Sequence, residues 1–169
     1  MSNSNDNTPA IYVGTYGQYN NGSLYGRWFD LTEYSEQSEF YNAIAEYHKK
    51  EHDPEFMFQD WENIPSQFIG ESYLSDEFWD YLKFIDSSYL DQEAIDAGLS
   101  LGIPLDKLEE AYYGQYDSDT DLAYEYIDST GMLSDVPDSI SNYFDYESFG
   151  RDLAMDFIEE DGYYFLANW

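Results

Sequence analysis

Apolar positions change period several times along the chain, and each change predicts an element. IYVGTY (11–16) is rich in β-branched and aromatic residues and reads as a strand. YNNGSLYG (19–26) supplies Asn-Gly and further glycine punctuation, so GRWFDL (26–31) reads as the returning strand of a hairpin. Phe40, Ile44 and Tyr47 then recur at helical spacing. They predict a helix capped at Ser35 or Ser38 and running to about Lys50. Asp53-Pro54 ends it, and EFMFQDW (55–61) reads as a third strand. This first segment predicts a small sheet with one helix across a face.

From Glu62 to Asp106 the strand signal fades. Ser75, Asp76 and Glu77 open a helix whose acids complement the positive end of its dipole, and Phe78, Tyr81, Leu82 and Ile85 give it one apolar face. A second helix fits Asp91 to Leu101, ended by Gly102, with Pro104 placed for a new first turn and Leu105, Leu108 and Tyr112 as its stripe. AYYGQYD (111–117) returns to strand. Ser118 and Asp121 make a pair like a capping box, and Leu122, Ala123, Tyr126 and Ile127 form the face of a helix ended at Gly131. Pro137 and Ser139 lead into one or two helices over 138–159, and GYYFLAN (162–168) closes as a strand. The fold class is α+β. We divide the chain into a disordered tail (1–9), an N-terminal α+β domain (10–62), a helical middle domain (63–106) and a C-terminal α+β domain (107–169).

Composition adds what the pattern lacks. Six Lys and Arg face thirty-six Asp and Glu over 169 residues, for a formal net charge of −30. Acidic chains of this kind are commonly disordered, because they bury too little apolar surface. Here 43% of residues are hydrophobic and 20% aromatic, with nineteen Tyr, which predicts a folded body coated in negative charge. The absence of Cys excludes disulfides, thiolate metal sites and a Cys nucleophile, and fits a reducing cytoplasm. No apolar run approaches the roughly 20 residues of a membrane span, and MSNSNDNTPA lacks the features of a secretory signal. Such charge disfavours direct binding to DNA or anionic lipid and favours a basic partner. At one charge per ~1.7 Å of duplex axis, the excess corresponds to about 50 Å, or about 15 base pairs.

Candidate chemistry is sparse. His48 and His52 have the spacing of two zinc ligands on a helix, but Lys49 and Lys50 stand where a zinc protease has its Glu, so both read as exposed residues near a helix C-terminus. Asp117, Asp119 and Asp121 open like a calcium loop with Asp128 in the twelfth place. Leu122 occupies the sixth, where that loop needs Gly, and helix capping explains the same acids. No phosphate loop, dinucleotide turn or serine elbow is present. We expect no catalytic residues, no metal, no cofactor and no enzyme activity.

The acids are more informative as a set. Asp76, Glu77, Asp80 and Asp86 decorate one predicted helix, Asp91, Glu93 and Asp96 the next, and Glu109 and Glu110 the one after. Asp117, Asp119, Asp121, Glu125, Asp128 and Asp135 continue the series. Lys83 and Lys107 are the only Lys or Arg between Lys50 and Arg151. Ordinary surface helices intersperse cations to form i,i+4 pairs. A generic solvated face explains this run poorly. Salt adaptation explains the charge but not the tyrosines.

Four blocks resemble the ArdA-type antirestriction proteins: IYVGTYGQYNNGSLYGRWFDL (11–31), DPEFMFQDWE (53–62), LAYEYIDSTGMLSDVP (122–137) and SNYFDYESFGRDL (141–153). The third is similar to the stretch called the antirestriction motif in that family. The resemblance implies an elongated, bent homodimer with three small domains per chain. It implies an inhibitor that occupies the DNA groove of the methyltransferase core of type I restriction-modification enzymes, with carboxylates standing in for phosphates. It also implies a dimer contact in or near 122–137, for which Leu122, Tyr126, Ile127, Met132, Leu133 and Val136 are the candidates. Packing of the chain's own third domain is the competing use of those six. An acidic chaperone of basic proteins, without duplex geometry, is the alternative function.

Overall fold

A computed structural model describes residues 7–169, and among them eight α-helices and eight strands sort into two units, residues 1–83 and 84–169. The class is α+β. Of the expected tail, residues 1–6 lie outside the described residues. Thr8 accepts a hydrogen bond from Asn63 (3.0 Å), and Pro9 is buried with its carbonyl bound by the Leu31 amide (2.9 Å).

The first unit is built from β1 (Ala10–Thr15), α1 (Tyr16–Asn20), β2 (Arg27–Asp30), α2 (Gln37–Tyr47), β3 (Phe56–Glu62), β4 (Ile69–Gly70), β5 (Tyr73–Leu74) and the start of α3 (Glu77–Ser87). Its main sheet is antiparallel in the order β2-β1-β3. Burial alternates at the start of β1, where Ile11 and Val13 are fully buried and Tyr12 is not. That is the signature of a sheet with one covered face. The cover is α2: Phe40 meets Phe29 of β2 (6.1 Å between ring centres) and Phe58 of β3 (5.9 Å), with Ile44 beneath. Trp79 of α3 packs on Phe40 and donates to the Tyr34 carbonyl (3.0 Å).

Several details correct the sequence reading. Neither Ser35 nor Ser38 caps α2; Glu36 takes that position. Glu39 instead reaches back to the Ser35 amide (2.7 Å), and the Ser38 hydroxyl donates to Glu36 (2.6 Å). Hydrogen bonding from Ser35, its backbone amide first, holds the Glu39 carboxyl below the usual carboxylate range. The helix stops at Tyr47 rather than Lys50, because His48 turns inward. The turn between β1 and β2 contains α1, capped by Thr15. The segment expected to be purely helical holds the short β4–β5 hairpin, tied to α2 through Tyr41 and Gln37, both bonded to the backbone of Leu74.

The second unit contains the rest of α3, α4 (Gln92–Ser100), α5 (Leu108–Ala111), β6 (Tyr112–Gln115), α6 (Asp119–Thr130), α7 (Asp138–Ser141), α8 (Tyr146–Leu153), β7 (Phe157–Glu160) and β8 (Tyr163–Leu166). Its sheet is antiparallel in the order β6-β8-β7. Residues 157–159, expected to finish a helix, instead belong to strand β7. Helices cover both faces. Phe165 and Tyr163 look toward α4, where a Cβ on Gly98 would sit 3.0 Å from the Phe165 ring. Tyr164 and Phe157 look toward Leu122 of α6. A strand buried on both sides has no polar face, which is why β8 reads YYFL. Gly131 ends α6 in a left-handed conformation (φ 65°). Gly150 lets α8 cross the start of α6 closely, since a Cβ there would lie 2.4 Å from the Asp119 carbonyl oxygen.

Candidate functional site: the acidic surface

Each run of acids sits where helix physics tolerates it. In the first unit, Glu77 and Asp80 lie in the first turn of α3 and Asp76 just before it, all exposed. In the second, Asp91 and Glu93 open α4, Glu109 and Glu110 open α5, and Asp119 and Asp121 open α6. Acids in a first turn stabilise the helix by meeting its positive end. Asp86, Asp117, Glu125, Asp128 and Asp135 are also exposed, and Asp96 is half-buried.

Cations rarely answer them. Among the described residues the ion pairs are His48–Glu51, Lys49–Glu46 and Lys107–Glu110. Glu110 is among the expected phosphate-mimicking carboxylates. Neutral donors hold others in place: the Tyr164 hydroxyl donates to Asp119 (2.7 Å), Tyr163 to Glu93 (3.1 Å) and the Ser88 hydroxyl to Glu109 (2.8 Å). Burial first, then the neighbouring carboxylate, pushes both tyrosine hydroxyls up, Tyr164 the more strongly, which favours their role as protonated donors. The buried tyrosines thus anchor surface charge, a link between the two unusual features of the composition.

Two concavities collect acids within the second unit. One, of about 360 Å³, joins Glu93 and Asp96 with Glu160 and Asp161, which the sequence reading did not single out. The other, of about 610 Å³, has Tyr116, Tyr124 and Tyr146 in its walls and Asp121, Glu125 and Asp128 along one side. Those three acids, at i, i+4 and i+7, share one face of α6. Tyr124 and Tyr146 stack almost parallel, with ring centres 3.9 Å apart. The three tyrosines carried no signal in sequence, because one precedes α6, one lies on it and one begins α8.

The candidate dimer residues separate. Leu122 (0% exposed) and Ile127 (6%) are buried in the interior of their own unit. Tyr126 is half-buried against Phe149, and Leu133 and Val136 are half-buried. Met132 (56%) is exposed, as are Ile140 and Tyr143, which the sequence reading passed over.

The residues of the two metal-like patterns have other surroundings. Residues 119–128 are helical rather than a loop, the Ser118 hydroxyl caps the Asp121 amide (3.1 Å), and Leu122 is in the core. His48, expected to be exposed, is buried. Its Nδ1 lies 2.6 Å from Glu51, its Nε2 lies 3.4 Å from the Val13 carbonyl, and the other Glu51 oxygen accepts from Thr15 (2.7 Å). Among the described residues no group of three or more His, Cys, Asp or Glu is placed to hold a metal ion, and no helix is long and apolar enough to cross a membrane.

No curated protein matches the chain. The family described as antirestriction protein (ArdA) matches residues 11–165, a span that contains all four resembling blocks, helices α1 to α8 and all but the outermost residues of the two main sheets. The chain therefore belongs to the ArdA family of antirestriction proteins.

Proposed function

We propose that this antirestriction protein acts without catalysis, as a duplex mimic that occupies the DNA groove of type I restriction-modification enzymes. The observation that carries this is the set of exposed carboxylates on α3 to α6 and their shortage of basic partners. Lys and Arg side chains that meet phosphates release counterions, and an array of carboxylates offers the same attraction. Contacts that position DNA go largely to its backbone, so a mimic of that backbone needs no base sequence. Action across enzymes with different recognition sequences follows, and blocked modification as well as cleavage. The setting is the cytoplasm of a bacterial host. The three-domain division and the homodimer belong to the same proposal. The exposed Met132, Ile140 and Tyr143, with half-buried Leu133 and Val136, offer the second copy an apolar surface beside the motif.

The test is titration of the folded protein into a type I methyltransferase holding a labelled duplex, with release read by anisotropy at two salt concentrations. Stoichiometric displacement that weakens as salt rises supports the proposal. No displacement at low salt overturns it for the enzyme used, and equal binding to unrelated basic proteins favours an acidic chaperone.

A further inference from the structure

The cleft walled by Tyr116, Tyr124 and Tyr146 differs in kind from the rest of the acidic surface. Apart from the smaller hollow at Glu93, Asp96, Glu160 and Asp161, the carboxylates elsewhere decorate exposed helix surfaces. Here Asp121, Glu125 and Asp128 border a concavity of about 610 Å³ whose walls include a stacked tyrosine pair. Tyr124 is 53% exposed, so part of that pair remains open to a ligand.

Three independent features point to a cation. The acids repeat at i, i+4 and i+7 and repel one another, and among the described residues none is in an ion pair. Asp128 stands near the C-terminal, negative end of α6, and the last turn of that helix holds no basic residue. Tyr124 and Tyr146 cover one face of each other, and the outer face of the exposed Tyr124 carries the negative side of the ring quadrupole, which attracts cations. A planar guanidinium answers all three together: it stacks on a ring and forms paired hydrogen bonds with carboxylates, which an ammonium does less well. The volume admits the side chain with a short stretch of backbone on either side.

We infer that this cleft is a socket for an arginine side chain presented by a basic protein segment. The inference rests on the proposed basic partner and adds a discrete anchor to an otherwise distributed attraction. Buried, aromatic-walled contacts of this type carry most of the energy in many interfaces, with the surrounding charge setting approach rate more than affinity.

The probe is acetyl-Gly-Arg-Gly-amide, titrated into the full-length ¹⁵N-labelled protein, with the neutral citrulline peptide and the lysine peptide alongside. Saturable amide shifts centred on Gly131 and Ser134, which line the cleft, are expected with arginine. Lysine should bind more weakly and citrulline not at all. Tyr124→Ala should weaken the arginine peptide about three- to tenfold, and Tyr124→Phe, which keeps the ring, should restore most of the loss. Tyr124 is the more exposed of the stacked rings, so its replacement leaves the core in place. Shifts spread evenly over the acidic helices, equal binding of citrulline, or a cleft filled by a second copy of the chain would each overturn the socket. In the displacement titration, Tyr124→Ala should inhibit less than the parent. If it displaces DNA as well as the parent, the socket fails and mimicry stands. If the parent displaces nothing while the arginine peptide still fills the cleft, mimicry fails and the socket stands.

Discussion

The two main sheets have the same strand number and the same antiparallel pairing, yet they bury different numbers of faces. In β2-β1-β3 the helix α2 covers one side. The other side keeps Tyr12 edge-on to Trp28 (5.7 Å), with Trp28 41% exposed. In β6-β8-β7 helices cover both sides, and Tyr163, Tyr164 and Phe165 are buried in succession. A one-faced sheet announces itself by alternation, and a two-faced sheet by an unbroken apolar run. The second arrangement also has room for tyrosines that pass through the packed layer and hold carboxylates at the far end, as Tyr163 and Tyr164 do.

The largest effect should come from the two-faced sheet. Phe165→Ala removes a fully buried ring between β8 and α4 and should cost about 3–5 kcal/mol in denaturant unfolding. Loss below about 1 kcal/mol would show that the second face is loosely packed. Next is His48→Ala in the first unit, which strips the Glu51 carboxylate of a buried partner. A loss of about 1–3 kcal/mol is expected, with a smaller one for His48→Gln, which keeps a donor. On the open face, Trp28→Ala should cost only about 1 kcal/mol, chiefly the edge contact with Tyr12. A cost matching that of Phe165→Ala would break the contrast between the sheets.

The smallest effect should have the opposite sign. Asp128→Asn removes a negative charge from the negative end of α6 and relieves its repulsion with Glu125 and Asp121. It should stabilise the fold by about 0.3–1 kcal/mol at low salt, and the gain should shrink as salt rises. The same change should weaken binding of the arginine peptide. Stability gained while binding is lost would mark a residue kept for a partner rather than for the fold.

What was legible in sequence follows from the length and exposure of each element. The strands of the first sheet, the apolar faces of α2 and α6, the Ser118 cap and the Gly131 stop all have several residues pointing to one answer. The β4–β5 hairpin has two residues per strand, too few to establish a period. Strand β7, FIEE, continues a helical stretch without punctuation, and only its partner β8 makes it extended. His48 was read as exposed because its neighbours Lys49 and Lys50 are, but it is the residue where α2 ends and the side chain turns under β1. The acidic helices were visible as a pattern because charge is a property of composition. The tyrosine cleft was not, since its walls come from three places that only packing brings together.

The uneven placement of aromatic rings has a spectroscopic consequence. Three of the four Trp residues, Trp28, Trp61 and Trp79, fall in the first unit, and the fourth is Trp169 at the exposed C-terminus. Trp79 is in the core (4% exposed) and Trp28 and Trp61 face solvent, so selectively excited tryptophan emission combines a blue and a red component from one half of the chain. The second unit adds only the exposed Trp169, and its core rings are tyrosine and phenylalanine, so its unfolding changes that signal little. Tyrosines are spread over both units, so heating the protein while following tryptophan emission and tyrosine absorbance together sets the first unit's transition against that of the whole chain, and a gap between the two curves shows that the units do not melt together.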